Sequence, residues 1–304
     1  MRHKLVNWLC KKANSDKRII LITGDLGYSV LEKFSNSFPE RFINAGVSEQ
    51  NMISLAGGLA SEGYLPYVYS IGIFPTFRCA EQIRNDIDYH QLPVTICAIG
   101  SGVAYGSLGY SHHAIQDIAL IRSLPNLLIG TPSTPSEVDS ILDYNFLSPK
   151  PIYLRLHKAG EKELHSSRLE ISPGMPIIIN SKKNSKNPQI AVICCSWILS
   201  LVNDLIKSHN QITIMSLPIW GQAYKKIFSS FIQKFVEIII IEDHLFDGGF
   251  GSWILELVNE FDLKVKVRIF AIDKSVVGKV ATENELIKPT LNAFKDYIAH
   301  KKYL

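Results

Sequence analysis

Short runs of β-branched and aliphatic residues alternate along the first half of the chain with longer stretches that carry apolar residues at helical spacing. The runs predict strands at Arg18–Thr23, Leu65–Ser70, Val94–Ile99, Leu127–Thr131 and Ile152–Leu156. The stretches between them predict helices at Ser48–Glu62, Thr76–His90, Ile115–Ser123 and Ser136–Leu147, the last with Ser136 as its N-cap. Continuous apolar strands separated by helices are typical of a parallel sheet that helices cover on both faces.

The alternation stops near His157 and resumes after residue 188. The stretch between is polar and is interrupted by Pro173, Gly174, Pro176 and Pro188, as expected of a linker. Further strands are predicted at Ile190–Cys195, Ile212–Leu217, Val236–Glu242 and Lys264–Phe270, with helices near Ile198–Ser208, Tyr224–Lys234 and Phe250–Phe261. We therefore predict an α/β fold of two parallel or mixed-sheet domains, at residues 1–160 and 189–304, joined by a linker at 161–188.

Composition narrows the functional classes. The 304 residues carry a net charge of only +4, with Lys and Arg spread along the chain, which argues against a nucleic-acid partner. No segment approaches 18 consecutive apolar residues, so we expect no membrane span. The five cysteines form no metal-ligand spacing and include an adjacent pair, which favours a reducing compartment. Together with the absence of a cleavable leader pattern, this predicts a cytoplasmic protein.

The most specific pattern lies between residues 41 and 66. The string Asn44-Ala45-Gly46-Val47-Ser48-Glu49 leads into a small-residue helix. Ser48 is a good N-cap, and the helix dipole stabilises a glutamate in the first turn by about 0.3–1 kcal/mol, so Glu49 taken alone has a structural explanation. The motifs that follow are Phe74 with Phe77, Gln82-Ile83-Arg84-Asn85, Leu92-Pro93-Val94, Ser111-His112-His113 and Ile121-Arg122-Ser123-Leu124-Pro125-Asn126.

In order and spacing these motifs resemble split transketolase subunits over residues 18–158. The resemblance implies the thiamine diphosphate pyrimidine-binding domain, followed by the transketolase C-terminal domain. It also implies thiamine diphosphate as the cofactor, which carries the difficult chemistry itself.

The resemblance assigns cofactor contacts to five residues. Glu49 would hydrogen-bond the N1′ nitrogen of the aminopyrimidine and exchange a proton with it, a role that shielding by apolar neighbours would suit. Phe74 would carry the stacked pyrimidine ring, and Ile71 and Phe77 would flank it, although core packing explains Ile71 about equally well. Asp25 matches an acidic residue near the cofactor at the end of the first strand.

Four further residues match substrate-contacting positions. His112 matches the family's substrate histidine and is expected to contact substrate and intermediate. Ser29 matches a phosphate-contacting serine, whereas Lys158 stands where transketolases have an arginine and lacks its bidentate fork. Leu108 replaces an aspartate that reads a sugar hydroxyl, and a second histidine expected near Gly100 is missing. These departures put ordinary pentose-phosphate substrates in doubt.

The chain lacks the Gly-Asp-Gly motif with which the family's diphosphate-binding domain holds Mg²⁺. We therefore expect no metal site in this chain and a partner, the N-terminal transketolase subunit, that holds the diphosphate and Mg²⁺. The family's architecture then predicts a heterotetramer containing a second copy of this chain.

The leading functional hypothesis is a subunit of an enzyme that transfers a two-carbon ketol unit from a ketose to an aldehyde or keto-sugar acceptor. The altered pocket allows a non-standard acceptor, as in polysaccharide or specialised sugar biosynthesis. The alternatives are the β subunit of a 2-oxoacid dehydrogenase and a non-catalytic scaffold. 1-Deoxyxylulose-5-phosphate synthase shares similar motifs on a single longer chain.

A second glycine-rich segment, Gly248-Gly249-Phe250-Gly251, follows Glu242-Asp243-His244. It resembles a strand-to-helix corner of the family's C-terminal domain. Two interpretations remain open, a turn with close packing and, with a weaker signal, a phosphate cradle.

Overall fold

The computed structural model describes residues 1–167, 169–180, 190–206, 209 and 212–300. They form two β-sheets, each covered by helices, which confirms the predicted α/β class. The strands are β1 (Ile19–Thr23), β2 (Phe42–Asn44), β3 (Leu65–Ile71), β4 (Thr95–Ile99), β5 (Leu128–Gly130), β6 (Ile152–Leu156), β7 (Ile177–Asn180), β8 (Ile190–Cys194), β9 (Ile212–Ser216), β10 (Ile219–Trp220), β11 (Glu237–Leu245) and β12 (Lys266–Ile272).

Helices lie between most of these strands, and two begin or end the described chain. They are α1 (Arg2–Ala13), α2 (Glu32–Ser37), α3 (Glu49–Ser61), α4 (Phe74–Phe77), α5 (Ala80–Gln82), α6 (Asp117–Ile121), α7 (Pro135–Leu147), α8 (Leu199–Leu205), α9 (Lys225–Ile232), α10 (Phe250–Glu260) and α11 (Glu283–Ala299). The sequence analysis did not predict α1, α2 or α11. No helix in the described ranges is long and apolar enough to cross a membrane.

The first sheet has the strand order β10-β5-β6-β4-β3-β1-β2. All neighbouring strands are parallel except β10, which pairs antiparallel with β5. Every residue of β1, β4 and β6 is buried, as expected of central strands with both faces covered. Because β10 comes from the second half of the chain, the two halves share this sheet.

The second sheet has the order β12-β11-β8-β9-β7 and is parallel except for β7 at its edge. β7 lies inside the predicted linker, where the sequence analysis placed no strand, and its residues alternate between half-buried and exposed. Residues 168 and 181–188 of that linker lie outside the described residues. The division into domains at 1–160 and 189–304 stays a prediction.

The prediction of one continuous helix at Thr76–His90 is wrong. The segment is broken into α4, α5 and a π-helical turn at Ile83–Asp88. Cys79, with φ −115°, separates α4 from α5, and the Thr76 hydroxyl donates back to the carbonyls of Gly72 and Ile73. Arg78 lies at this break, directly after α4.

The prediction that Ser136 caps α7 is also wrong. Thr134 is the N-cap, and its side chain accepts a hydrogen bond from the amide of Glu137 at 3.3 Å. Pro135 occupies the first helical position, where its missing N–H is harmless. Ser136 instead donates its hydroxyl to Glu163.

A buried charge cluster joins the two sheets. Arg155, on β6, donates to Asp117 at 2.7 Å and to Asp243, on β11, at 2.5 Å. Tyr153 donates its hydroxyl to the same Asp117 at 2.7 Å. The side chains of Arg155, Asp117 and Asp243 are at most 3% exposed. One guanidinium therefore forms ion pairs with a carboxylate from each half of the chain.

A second polar contact between the halves lies just past β6. His157 bonds Glu161 at 3.0 Å and Glu283 of α11 at 2.9 Å, and its ring stacks on Trp197. Burial lowers the pKa of His157, but the hydrogen bonds to both carboxylates outweigh burial and raise it. The start of α11 is thereby fixed against the end of β6.

Replacing Arg155 with Met should lower the free energy of unfolding by about 3–5 kcal/mol, because Asp117 and Asp243 would remain buried without a counter-charge. Urea unfolding followed by circular dichroism measures the effect. Arg18→Met is the control, since Arg18 forms an exposed ion pair with Asp16 that is worth about 0–1 kcal/mol. Equal losses in the two variants would contradict the role given to the cluster.

Candidate active site

Glu49 is the first residue of α3, at the carboxyl-terminal edge of the first sheet. The chain leaves β2 through Gly46, whose φ of +71° lies in the region that favours glycine. Ser48 occupies the N-cap position as predicted, but its side chain makes no capping hydrogen bond. The turn leaves the Glu49 carboxylate 2% exposed at the amino end of the helix.

A cation that the sequence did not predict lies against the Glu49 carboxylate. Arg78 Nη1 donates to Glu49 Oε2 at 2.6 Å, and the two side chains are 49% and 3% exposed, respectively. Arg78 directly follows α4, at the break in the helix that was predicted at Thr76–His90.

Two of the predicted site residues form an aromatic pair next to this ion pair. The rings of Phe74 and His112 are edge-to-face with centroids 5.2 Å apart. The Arg78 guanidinium carbon lies 5.1 Å from the Phe74 ring centroid, so Arg78 contacts both Glu49 and Phe74. The Ser111 hydroxyl lies 3.0 Å from His112 Nδ1. The structure thus brings Glu49, Phe74 and His112 into one place through Arg78.

Asp25 is tied to the turn that precedes Glu49. Its backbone has φ +56°, and its carboxylate accepts hydrogen bonds from the Asn44 amide at 3.0 Å and the Tyr28 hydroxyl at 2.9 Å. These bonds, that from Asn44 first, lower the pKa of Asp25. The side-chain oxygen of Asn44 also accepts hydrogen bonds from the backbone N–H groups of Asp25 and Gly46. The Asn44 side chain therefore links the loop after β1 to the loop after β2.

The predicted substrate residues lie on neighbouring loops. Ser29 is exposed with φ +62°, and its amide donates to Glu32 at 2.7 Å. Lys158 Nζ lies 5.1 Å from the ring centroid of Tyr105. Leu108 ends a 3₁₀ turn and is 54% exposed.

The remaining two predicted residues differ in exposure. Ile71 is the last residue of β3 and is half-buried. Phe77 is 52% exposed, so in this chain it presents its ring at the surface. Phe77 could line a pocket only if another surface covered its ring. The cofactor-flanking roles of Ile71 and Phe77 stay predictions.

Two cations that were not predicted from the sequence lie at this site. Arg78 follows Phe74 by four residues, which is the helical spacing that brings two side chains together, and this was a readable signal. Arg2, at the start of α1, acts on Tyr105. Burial raises the pKa of Tyr105, and the positive charge of Arg2 partly offsets that rise. Nothing in the local sequence pattern indicates that Arg2 approaches Tyr105, because the two are far apart in the chain.

The residues present fit the aminopyrimidine half of the cofactor that the resemblance implies. A buried carboxylate and an aromatic face meet at one point, and the planar guanidinium of Arg78 already contacts both. Such an arrangement can hold a flat, nitrogen-containing ring and exchange a proton with it. No group of three or more His, Cys, Asp or Glu side chains placed to hold a metal ion is found among the described residues.

The glycine-rich corner of the second half is filled by its own carboxylate. Glu242 accepts hydrogen bonds from the amides of Phe250 and Gly251 at the start of α10, at 2.7 and 3.2 Å. Burial raises the pKa of Glu242 to about 8. A Cβ on Gly249 would lie 2.3 Å from Glu242 Oε2. The close-packing interpretation is therefore supported, and the phosphate-cradle interpretation is wrong because those amides are already used.

Comparison with known proteins identifies relatives across most of the chain. The family described as "Transketolase, pyrimidine binding domain" matches residues 1–160. The chain is 28% identical over 239 residues to an apulose-4-phosphate transketolase subunit of Actinobacillus succinogenes, covering 77% of this chain and 75% of that protein. It is 27% identical over 278 residues to the 1-deoxy-D-xylulose-5-phosphate synthase of Clostridium perfringens, covering 88% of this chain but 44% of that longer protein.

Solved structures share the fold. One described as "Split gene transketolase, inactive beta4 tetramer" has a TM-score of 0.79 at 24% identity and covers 95% of this chain and 92% of its own. The transketolase of Campylobacter jejuni has a TM-score of 0.79 at 17% identity and covers 99% of this chain but 46% of its own. At these identities the likeness concerns the fold alone.

Proposed function

We propose, from the premise that this chain belongs to the transketolase family, that it is the pyrimidine-binding subunit of a split, thiamine diphosphate-dependent ketol transferase. The single observation that carries the proposal is the convergence of Glu49, Phe74 and His112 at the carboxyl edge of the first sheet. An apulose-4-phosphate transketolase subunit of Phocaeicola vulgatus supports the split-enzyme part, since the match covers 91% of this chain and 88% of that protein.

When bound, thiamine diphosphate would supply a carbon nucleophile that can add to the carbonyl carbon of a sugar. In this proposal Glu49 holds a proton at its carboxylate oxygen and exchanges it with the pyrimidine ring. Phe74 orients that ring, and Ile71 and Phe77 flank it. Asp25, fixed by Asn44, orders the adjacent loop.

Substrate recognition is proposed for the loops around His112. His112 contacts the sugar, and Ser29 and Lys158 bind an anionic group at one end of the substrate. Arg2 supplies a further positive charge near Tyr105 for the same anionic group. Leu108 cannot accept a hydrogen bond from the sugar hydroxyl that would lie beside it. The enzyme should therefore favour a non-standard sugar as the recipient of the ketol unit.

The partner is proposed to be an N-terminal transketolase subunit that holds the diphosphate and Mg²⁺. The half-exposed Phe77 and the 74% exposed Val47, which flank the site in sequence, are apolar surface for such a partner to cover. The split-gene β tetramer to which this fold is similar is described as inactive, which agrees with a need for a second chain. The cytoplasmic location expected from the cysteines stays a prediction.

Glu49→Gln should lower the turnover of the complex by at least about 100-fold, the usual contribution of a general acid–base group. Steady-state kinetics with saturating thiamine diphosphate and Mg²⁺ measure it. Glu62→Gln, at the far end of α3, is the matched control and should leave turnover unchanged. Near-normal turnover of Glu49→Gln would overturn the proposed function.

Light scattering of the co-expressed subunits should give a heterotetramer with two copies of each chain. Two-fold symmetric assemblies are the commonest closed form, and the family's sites lie between the halves of different subunits. A fully active complex with one copy of each chain would refute this stoichiometry.

Leu108→Asp should raise the kcat/KM of the complex for ribose 5-phosphate by roughly 10- to 100-fold. In the wild type a sugar hydroxyl stays unpaired beside Leu108, which costs about 1–3 kcal/mol on binding. Val280→Asp is the control, since Val280 is an exposed apolar residue that lies against the neighbouring Gly109. If Val280→Asp improves the reaction as much, the effect is general charge and not hydroxyl recognition.

A further inference from the structure

The guanidinium of Arg78 occupies the place between Glu49 and Phe74. It makes an ion pair with Glu49 at 2.6 Å and lies with its central carbon 5.1 Å from the Phe74 ring centroid. A planar group that donates an N–H to Glu49 while lying near the Phe74 ring makes the two contacts that the proposed function assigns to the pyrimidine ring. A ring that made these contacts would compete with Arg78 for Glu49 and for the Phe74 ring.

The chain has a physical reason to keep a cation here. Glu49 is 2% exposed, and a buried carboxylate without a partner is costly. Arg78 is 49% exposed on its side chain, so it has room to leave toward solvent. The carboxylate is fixed by α3, whereas its partner follows a four-residue helix.

We propose that Arg78 is an internal stand-in for the pyrimidine ring: it satisfies Glu49 and covers Phe74 in the cofactor-free chain, and it must move aside before the cofactor binds. This inference rests on the proposed function of the site. It adds an autoinhibitory contact whose strength sets how much of the cofactor's binding free energy is lost to displacement.

Two consequences follow from the geometry. The cofactor-free chain is stabilised by the ion pair, and the apparent affinity for thiamine diphosphate is reduced by the fraction of molecules in which Arg78 occupies the site. Departure of Arg78 also removes the cation from Glu49, so that the carboxylate becomes free to exchange its proton with the ring.

The test compares wild type, Arg78→Gln and Arg18→Gln, each co-purified with the N-terminal partner. Arg18 is the matched control: its side chain is 54% exposed, it forms a 2.7 Å ion pair with Asp16, and it precedes β1 at the opposite edge of the sheet. Calorimetric titration with thiamine diphosphate at fixed Mg²⁺ should show binding roughly 3- to 10-fold tighter for Arg78→Gln than for wild type or Arg18→Gln.

Thermal unfolding supplies a second readout that does not depend on turnover. Without cofactor, the chain with Arg78→Gln should melt about 2–4 °C below wild type, because Glu49 loses its partner. Saturating thiamine diphosphate should abolish this difference in the complex. Arg78→Lys keeps the positive charge but not the planar guanidinium, so this variant should bind thiamine diphosphate more tightly than wild type. It replaces Arg78→Gln in the titration if Arg78→Gln does not fold.

The outcomes separate the two proposals. Equal cofactor affinity in wild type and both Arg78 variants overturns the stand-in role while leaving the proposed function in place. Weaker binding in Arg78→Gln also overturns it, since Arg78 would then contact the bound cofactor. A complex in which no form, wild type included, binds thiamine diphosphate refutes the proposed function itself, and the stand-in role with it.

Discussion

The arrangement of this molecule depends on one buried cation. Arg155 extends from the central strand β6 and forms ion pairs with Asp117 in the first half of the chain and Asp243 in the second. Burying either carboxylate without this cation would be costly, so the two sheets are held together by these ion pairs as well as by apolar packing. The second half contributes β10 to the first sheet and strengthens the same constraint.

The loop from Gly106 to His112 is also in contact with the second half of the chain. It packs on the segment before α11: a Cβ on Gly106 would lie 2.5 Å from the Ala281 carbonyl, and a Cβ on Gly109 would lie 3.2 Å from Val280 Cγ2. His157, bonded to Glu283, fixes the start of α11 beside the end of β6. The loop that carries Leu108 is therefore supported by the second half of the chain, although every predicted site residue belongs to the first half.

Much of the fold was predictable because its signals are local. The apolar runs that became β1, β3, β4 and β6 needed only their composition, and the turn before Glu49 needed only its glycine. What could not be predicted depends on contacts between distant residues. β10 is only two residues long and forms by pairing with β5. β7 lies in a stretch bounded by prolines and forms by pairing with the edge of β9. The ion pair of Glu49 could not be predicted because it joins side chains 29 positions apart, on either side of β3.

The proposed function divides the active site between two chains, and this poses a physical problem. Under that proposal, the residues that hold the cofactor must be folded before the partner and the cofactor bind. A buried carboxylate without a counter-charge on that side would destabilise the folded chain, and an uncovered Phe74 would add apolar surface. One arginine four residues beyond Phe74 addresses both, because its guanidinium neutralises Glu49 and lies close to the ring. The same contact then opposes cofactor binding. A stronger Arg78–Glu49 ion pair therefore stabilises the free chain and lowers the affinity of the assembled site for the cofactor.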